Sequence, residues 1–325
     1  MKFHPAFKSL LNCENEGEVF GYFQKTLTDS ILTWDYFVNW QKILDHHEEV
    51  KGSLETLNQL LGKENIEQEF RNLLVIHPEV AGVIPILIAC RNTDFHILTN
   101  YLNGNLYYQN YSFPHHTLPL FSPAEIDQIV EFAQATGILD LFAQSKIRSV
   151  ADYVLGIEVG LDSNGRKNRS GTTMEAIAET KIAQMCQEYG FAYLKQATRE
   201  KIRERWGIPV QVDKSSRKFD FAINHQEQLY LIEVNFYGGG GSKLKATAGE
   251  YKYLFDFLSA QKHTLIWITD GRGWKESLNP LEETFNYIDY TLNLHMIHQG
   301  ILAELINQEI ENPDYSWDRN MLAAG

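Results

Sequence analysis

The sequence contains few cysteines and no long apolar run, and its formal charge is not positive. The three cysteines, Cys13, Cys90 and Cys186, stand far apart. They offer neither the paired spacing of a zinc site nor an even disulfide framework, which is typical of a reducing compartment. No segment reaches the roughly 18 apolar residues of a membrane-spanning helix, and the first residues lack the apolar stretch of a signal peptide. We therefore expect a cytoplasmic protein with no membrane partner.

The net charge of −13 argues against a generic nucleic-acid binder, but the charge is unevenly distributed. Residues 195–218 contain eight lysines and arginines against three acidic residues, a local charge of +5. Such a patch can attract phosphates, because charges elsewhere on the surface are screened over about 10 Å. The same residues could instead form an ordinary solvated helix face from Lys195 to Arg205.

The 325 residues divide at about position 145. Residues 1–145 carry apolar side chains at helical spacing and are predicted to form a mainly helical domain. The aromatic residues around 107–111 are interpreted as a loop, and 83–90 as either a helix or a strand. The expected helices span residues 18–32, 36–61, 67–77 and 123–144.

Residues 146–325 form the second predicted domain, in which strands and helices alternate. This order favours an α/β fold with a mixed sheet flanked by helices. The expected elements are a strand at 153–159, a polar loop at 160–171, a helix at 173–189, a hairpin at 218–235, a helix at 249–261, a strand at 263–269 and a helical region from about 280.

The hairpin at 218–235 places two carboxylates face to face. A symmetric hairpin about the connection 225–228 pairs Phe221 with Ile232 and sets Asp220 opposite Glu233. Opposed side chains have Cβ atoms roughly 4.5–5.5 Å apart, where like charges destabilise the pair. The pattern predicts one face that is core and one face that is a site, with a cation between the carboxylates.

A hard divalent cation with oxygen ligands fits this arrangement. Asn235 lies two residues after Glu233, so both project from the same face, roughly 6.6 Å apart. Asp220, Glu233 and a magnesium ion would suit phosphodiester hydrolysis, since the metal neutralises a phosphate oxygen and activates water. The spacing alone leaves open a simple ion pair of Lys218 with a surface carboxylate.

The residues around the hairpin resemble the DpnII/MboI type of restriction endonuclease. The resemblance lies in Arg217-Lys-Phe-Asp220 and in Glu233-Val-Asn-Phe-Tyr-Gly-Gly-Gly-Gly-Ser-Lys-Leu244. Three further segments, 84–91, 156–175 and 268–274, occur in order, so the similarity covers most of the chain. Its specific parts are the long loop Gly165-Arg-Lys-Asn-Arg169 and the run Asn235-Phe-Tyr-Gly-Gly-Gly-Gly-Ser-Lys243, which contains the glycine run Gly238–Gly241.

This resemblance implies a nuclease core of the Asp...Glu-x-Lys kind that uses Mg²⁺. It implies cleavage of double-stranded DNA at GATC with 5′-phosphate ends, in a prokaryotic cytoplasm, with host DNA protected by a cognate adenine methyltransferase. A palindromic site implies a twofold enzyme and hence a homodimer. Two alternatives stay open: a structure-specific or repair endonuclease of the same superfamily, and a non-catalytic DNA-binding module.

The sequence departs from the superfamily pattern at Asn235, which stands where lysine is usual. An amide cannot act as a base or carry positive charge, but it can orient a water molecule. Lys243, Lys218 or Lys245 could then supply the charge. The expected catalytic residues are therefore Asp220, Glu233, Asn235 and Lys243.

Glu175 has two interpretations. It could complete a capping box with Thr172, or it could be a third metal ligand beside Asp220 and Glu233. The glycine run lacks the spacing of a nucleotide-binding loop, and it could bring backbone close to DNA or serve as a flexible connector.

DNA contact is expected from the polar loop beside the core. Arginine pairs with guanine and asparagine with adenine in the major groove, so a reader of GATC needs both residue types. Whether the loop contacts bases or phosphates stays open. The expected DNA-binding residues are Asn164, Arg166, Lys167, Asn168 and Arg169 of this loop, with Lys218, Ser242 and Lys245.

Overall fold

A computed structural model of the chain describes residues 1–114, 121–226 and 228–311, without the side chains of Lys167, Ser242, Lys243, Lys245 and 308–311. It has the predicted α/β fold, with a mixed five-stranded sheet among helices and a separate two-stranded sheet. The strands are β1 (Asp94–Leu102), β2 (Asn105–Ser112), β3 (Ala192–Ala197), β4 (Phe219–His225), β5 (Gln228–Phe236), β6 (Thr264–Asp270) and β7 (Tyr290–Leu292). The helices are α1 (Pro5–Leu11), α2 (Glu16–Lys25), α3 (Trp40–Leu57), α4 (Ile66–Ile76), α5 (Ile84–Leu87), α6 (Pro123–Ala135), α7 (Ile138–Ala143), α8 (Val150–Ser163), α9 (Arg166–Tyr189), α10 (Arg199–Trp206), α11 (Ser242–Ser259), α12 (Leu278–Tyr287), α13 (Leu294–His298) and α14 (Ile301–Glu311).

The chain folds into two compact units, and one of them is built from two separate segments of the sequence. One unit comprises Met1–Thr33 with Asn168–Gly325, and the other comprises Trp34–Lys167. The amino-terminal segment joins the sheet-containing unit because Phe20 and Phe23 of α2 pack against Phe285 of α12, with ring centroids 5.0 and 5.4 Å apart. The division into a helical domain and a nuclease domain at residue 145 stays a prediction.

The large sheet has the order β3-β4-β5-β6-β7. Strands β3, β4 and β5 are antiparallel, and β5, β6 and β7 are parallel. Phe221 pairs with Ile232 and Ala222 with Leu231, which confirms the hairpin register predicted from the sequence. The hairpin thus occupies the centre of the sheet.

The prediction that one face of the hairpin is core and the other a site is wrong for most of its length. Ala222 and Leu231, on the predicted site face, are fully buried, as are Phe219 and Ile232 on the opposite face. Apolar side chains of α9 and α11 belong to the same core as the strands, and helices on both sides of a sheet exclude water from both faces. Polar side chains are therefore confined to the ends of the strands.

Two predictions for residues 153–171 are wrong. The expected strand 153–159 is part of α8, which begins where the Ser149 side chain accepts a hydrogen bond from the Asp152 amide at 3.1 Å. Val150 and Val154 are buried one helical turn apart, so helical spacing prevails over the strand preference of the branched residues. The expected loop 160–171 shortens to a turn at residues 164–165.

The unit Trp34–Lys167 contains three of the four helices predicted for residues 1–145 and one unpredicted sheet. The aromatic segment interpreted as a loop is strand β2, paired antiparallel with β1. The base of this hairpin packs on Phe132 of α6, whose ring lies 5.2 Å from Tyr111 and 4.7 Å from Phe113. The predicted helix 123–144 breaks at Gly137, which adopts a positive φ of 79°.

Across the described residues, no single helix has both the length and the apolar composition needed to cross a membrane. The segments Ile66–Ile76 and Pro78–Leu87 pass that test only when taken together, and they are bent by 116°.

Candidate active site

Asp220 and Glu233 lie at the end of the central hairpin that is remote from its turn. They occupy the positions next to the pair formed by Phe221 and Ile232. Glu233 is 6% exposed and Asp220 is half-buried. Asp220 Oδ2 accepts a hydrogen bond from the Val234 amide at 2.8 Å. Two carboxylates therefore share one water-poor end of the sheet.

Burial disfavours the charged forms of both carboxylates. It raises the pKa of Asp220 to about 6, with the nearby Glu175 adding to the rise and the Val234 N–H opposing it. Burial also raises the pKa of Glu233 to about 8, with Asp220 adding to the rise and Arg217 opposing it. A cation between them would favour the ionised forms of both groups.

The buried Arg217 contacts three carboxylates, and sequence reasoning gave it no role of its own. Its Nε and Nη2 donate to Asp213 at 2.8 and 2.6 Å. Nη2 also donates to Glu250 Oε1 at 3.0 Å, and Nη1 donates to Glu233 Oε1 at 3.3 Å. The position of Arg217 beside Asp220 in the family-like segment was the available signal.

The side chain of Asn235 is held by two aromatic residues. Trp267 of β6 donates its indole N–H to Asn235 Oδ1 at 2.8 Å. The amide also hydrogen-bonds the hydroxyl of Tyr251, whose pKa is raised chiefly by burial. Trp267 and Tyr251 have no local sequence signal, because both come from elements far along the chain. The amide is thus oriented by the core of the protein.

Glu175 lies inside α9 and does not form the predicted capping box. Thr172 is helical and donates its hydroxyl to the Asn168 carbonyl at 3.1 Å, so it cannot be an N-cap. Glu175 Oε2 accepts a hydrogen bond from Gln196 Nε2 at 2.9 Å. Its carboxylate also contributes to the raised pKa of Asp220, which places it within electrostatic reach of the hairpin.

The donor set suits a divalent metal ion, although the ligands are not gathered as one cluster. Within the residues that the structure describes, no three Asp, Glu, His or Cys side chains are close enough together to hold a metal. Asp220 and Glu233 nevertheless offer carboxylate oxygens at a place where burial and mutual repulsion disfavour their charged forms unless a cation is bound. Oxygen ligands of this kind fit Mg²⁺. Assigning Glu175 to the metal stays a prediction.

The glycine run is fixed to the turn that follows β6. The Tyr237 amide donates to the Asp270 carbonyl at 2.9 Å, and the Gly273 amide donates to the Tyr237 carbonyl at 2.8 Å. A Cβ atom on Gly273 would lie 2.4 Å from the carbonyl oxygen of Gly239. The two glycine-containing motifs of the sequence therefore form one structural unit, which argues against a flexible connector at 237–239.

The expected DNA-binding residues of the predicted loop fall in different elements. Asn164 is exposed in the turn between α8 and α9, and Arg166 Nε donates to the Phe37 carbonyl at 3.3 Å. Asn168 is exposed and lies seven residues before Glu175, so the two share a face of α9 about 10 Å apart. Arg169 is half-buried in the same helix.

The remaining expected residues flank the hairpin. Lys218 is exposed directly before β4. Ser242, Lys243 and Lys245 belong to the first turns of α11, and their side chains lie outside the described part of the structure. The backbone thus places Lys243 and Lys245 just after the glycine run.

Part of the basic segment 195–218 is neutralised by carboxylates. Lys195 pairs with Glu179 at 2.6 Å, and Lys214 pairs with Glu250 at 2.8 Å. Arg199 pairs with its neighbour in α10, and Arg217 is buried. The local positive charge available to a phosphate is therefore smaller than the sequence count.

Comparisons with known proteins agree on one family. A family model described as DpnII restriction endonuclease matches residues 19–304. The chain is 44% identical to the type II restriction enzyme MjaIII of Methanocaldococcus jannaschii over 89% of this chain and 99% of that protein. It is 33% identical to DpnII of Streptococcus pneumoniae (86% and 96% covered) and 32% identical to MboI of Moraxella bovis (90% and 97% covered). No solved structure matches the chain significantly.

Proposed function

This chain belongs to the DpnII restriction endonuclease family and is a site-specific deoxyribonuclease, and we propose on that premise that it cuts both DNA strands at GATC with Mg²⁺. The proposed products carry 5′-phosphate ends. The observation that carries the catalytic part is that Asp220 and Glu233 lie next to the paired residues Phe221 and Ile232 at one end of the central hairpin. The recognition sequence rests on the resemblance to the DpnII/MboI type.

Asp220 and Glu233 would hold the metal ion, with Glu175 as a third ligand. Bound there, Mg²⁺ would neutralise a phosphate oxygen and lower the pKa of the attacking water. The Val234 amide fixes one oxygen of Asp220, and Arg217 fixes one oxygen of Glu233. Asn235 would orient water through its amide, since Trp267 and Tyr251 already hold that group in place.

DNA contact is proposed for two stretches of the chain. The turn and first residues of α9 combine amides with positive charge, the chemistry that reads guanine and adenine. The start of α11 follows a glycine run in which backbone can approach DNA closely. The proposed set is Asn164, Arg166, Lys167, Asn168, Arg169, Lys218, Ser242 and Lys245, with Lys243 as a charge donor near the scissile phosphate.

The biological setting follows from a palindromic target. A homodimer would place one active site on each strand of GATC. Adenine methylation by a cognate methyltransferase would protect host DNA in the cytoplasm. We assign recognition and cleavage to residues 146–325, with residues 1–145 as a mainly helical domain.

Plasmid digestion tests this proposal. Unmethylated plasmid with Mg²⁺ should give discrete fragments whose sequenced ends fall at GATC, and adenine-methylated plasmid should stay intact. Asp220→Asn and Glu233→Gln should abolish cleavage but retain GATC binding in a calcium gel shift. Asp256→Asn, a change in a carboxylate that accepts a hydrogen bond from the Tyr287 hydroxyl, is the control. Structure-dependent nicking, or no cutting by the wild-type protein, would contradict the proposal.

A further inference from the structure

The guanidinium group of Arg217 is fixed by other carboxylates in addition to its contact with Glu233. Its side chain is 7% exposed and donates two hydrogen bonds to the Asp213 carboxylate, at 2.8 and 2.6 Å. Two parallel N–H to oxygen bonds fix the plane of a guanidinium group. Glu250 of α11 accepts a third hydrogen bond at 3.0 Å. The remaining donor, Nη1, is thereby aimed at Glu233 Oε1, 3.3 Å away.

This arrangement places a permanent positive charge beside Glu233, in a chain that lacks the lysine of the superfamily pattern. Asn235 occupies the usual lysine position but carries no charge, and its amide is bound to Trp267 and Tyr251. Among the side chains that the structure describes, Arg217 is the cation that hydrogen-bonds Glu233. Arginine stays charged in proteins, so this cation does not depend on pH.

We propose that Arg217 is a positioning residue for cleavage. It acts on Glu233, and its fixed positive charge replaces the charge that lysine supplies elsewhere in the superfamily. Its hydrogen bond to Oε1 would orient the Glu233 carboxylate for the metal ion. Asp213 and Glu250 act indirectly, because they fix the position of the Arg217 guanidinium group. The inference rests on the proposed function, in which Glu233 is a metal ligand.

A purely structural ion network would have a different signature from a positioning network. Removing one partner from a buried ion pair destabilises a protein whatever its function, because a charge is left unpaired. A residue that orients a metal ligand also affects the metal and the rate, typically by about 10–100-fold. The measurements must therefore separate the folded fraction, the Mg²⁺ requirement and kcat.

The test compares Arg217→Ala, Arg217→Lys and Glu250→Gln by steady-state cleavage of a GATC duplex. Folded Arg217→Ala should lose about 100-fold in kcat and require more Mg²⁺ for half-maximal rate, with calcium-supported DNA binding within about twofold of wild type. Arg217→Lys should be faster than Arg217→Ala but slower than wild type, since lysine keeps the charge but cannot make both hydrogen bonds to Asp213. Arg71→Ala is the control, because Arg71 of the other compact unit also forms salt bridges with two carboxylates, Glu67 and Asp127. It should change stability but neither kcat nor the Mg²⁺ requirement.

A folded Arg217→Ala enzyme with wild-type kcat and Mg²⁺ requirement would overturn the inference. Where Arg217→Ala does not fold, Arg217→Lys and Glu250→Gln decide. A raised Mg²⁺ requirement in either supports the inference, and wild-type values in both overturn it. The proposed function fails separately, if wild-type protein does not cut at GATC or if Glu233→Gln stays active.

Discussion

Trp267 donates its indole N–H to the amide oxygen of Asn235 across the boundary between β5 and β6, at 2.8 Å. In the parallel register Trp267 is the partner of Glu233, so the hydrogen bond runs diagonally from the strand beside the proposed site. The amide nitrogen is left to face the Tyr251 hydroxyl. The side chain of Asn235 is thus oriented by its surroundings.

Asn235→Ala should lower kcat about 10-fold, because the amide proposed to orient water is lost and two hydrogen bonds go with it. Asn235→Lys should not restore activity, since the new charge would lie against Trp267 and Tyr251. Cleavage of a GATC duplex at saturating Mg²⁺ measures both. Asn224→Ala is a suitable control at the opposite end of the hairpin, where the buried Asn224 Oδ1 has no hydrogen-bond partner. An Asn235→Lys variant faster than wild type would show that the amide has no special role.

The sequence predicts the hairpin register and the mixed sheet, because the alternation in β4 and β5 is local. It does not predict α8 and the start of α9, where branched residues and a polar stretch mask a continuous helical pattern. The partners of the carboxylates are also beyond local pattern. Trp267 and Tyr251 reach Asn235 from another strand and another helix, and only the folded chain brings them together.

Asp270 shows the same limit. It is the last residue of β6 and is fully buried. It accepts hydrogen bonds from the Thr28 amide at 2.6 Å and from the Leu294 amide at 3.0 Å. A spacing of 242 positions between Thr28 and Asp270 leaves no signal in a single sequence. The residue ties the amino-terminal segment to the end of the central sheet.

The stability of the metal-free protein should fall as the pH rises. Asp220 and Glu233 have folded-state pKa values of about 6 and about 8, above ordinary carboxyl values near 4. Between those limits the folded state binds more protons than the unfolded state, so raising the pH favours unfolding. Urea unfolding between pH 5 and 8 measures this, and Ca²⁺ should stabilise more at the higher pH. The double variant Asp220→Asn, Glu233→Gln should lose most of both dependences. An identical pH dependence in that variant would contradict the assignment.

Gly273→Ala should disrupt the junction between the glycine run and the turn after β6. Its Cβ would lie 2.4 Å from the Gly239 carbonyl oxygen and 2.7 Å from that of Tyr237, so backbone must move. We expect a loss of about 1–3 kcal/mol in the free energy of unfolding and slower cleavage. Gly249→Ala in α11, where a Cβ meets nothing within 4 Å, should be neutral or slightly stabilising. Thermal unfolding of both variants gives their melting temperatures. Equal melting temperatures would show that the backbone at the junction can shift to accommodate the added Cβ at little cost in stability.

Lys167→Ala should weaken DNA binding mainly through its salt dependence. Lys167 lies in the first turn of α9, within the stretch proposed to contact DNA. If its ammonium neutralises one phosphate, the slope of log affinity against log salt should fall by about one. Fluorescence anisotropy in calcium over a salt series measures this slope. Lys8→Ala is the control, since Lys8 pairs with Glu14 at 2.7 Å, and it should leave the slope unchanged.

The same titration separates phosphate contact from base reading at Lys167. A phosphate contact carries no sequence information, so Lys167→Ala should weaken binding to a GATC duplex and to a scrambled duplex by the same factor. A base contact would cost affinity for GATC alone, by about 1–3 kcal/mol for a good pair. An unchanged slope with unchanged affinity for both duplexes would remove Lys167 from the DNA interface. The result also bears on Asn168, the next residue of α9, because an exposed amide two turns before Glu175 can read a base only if this end of the helix meets DNA.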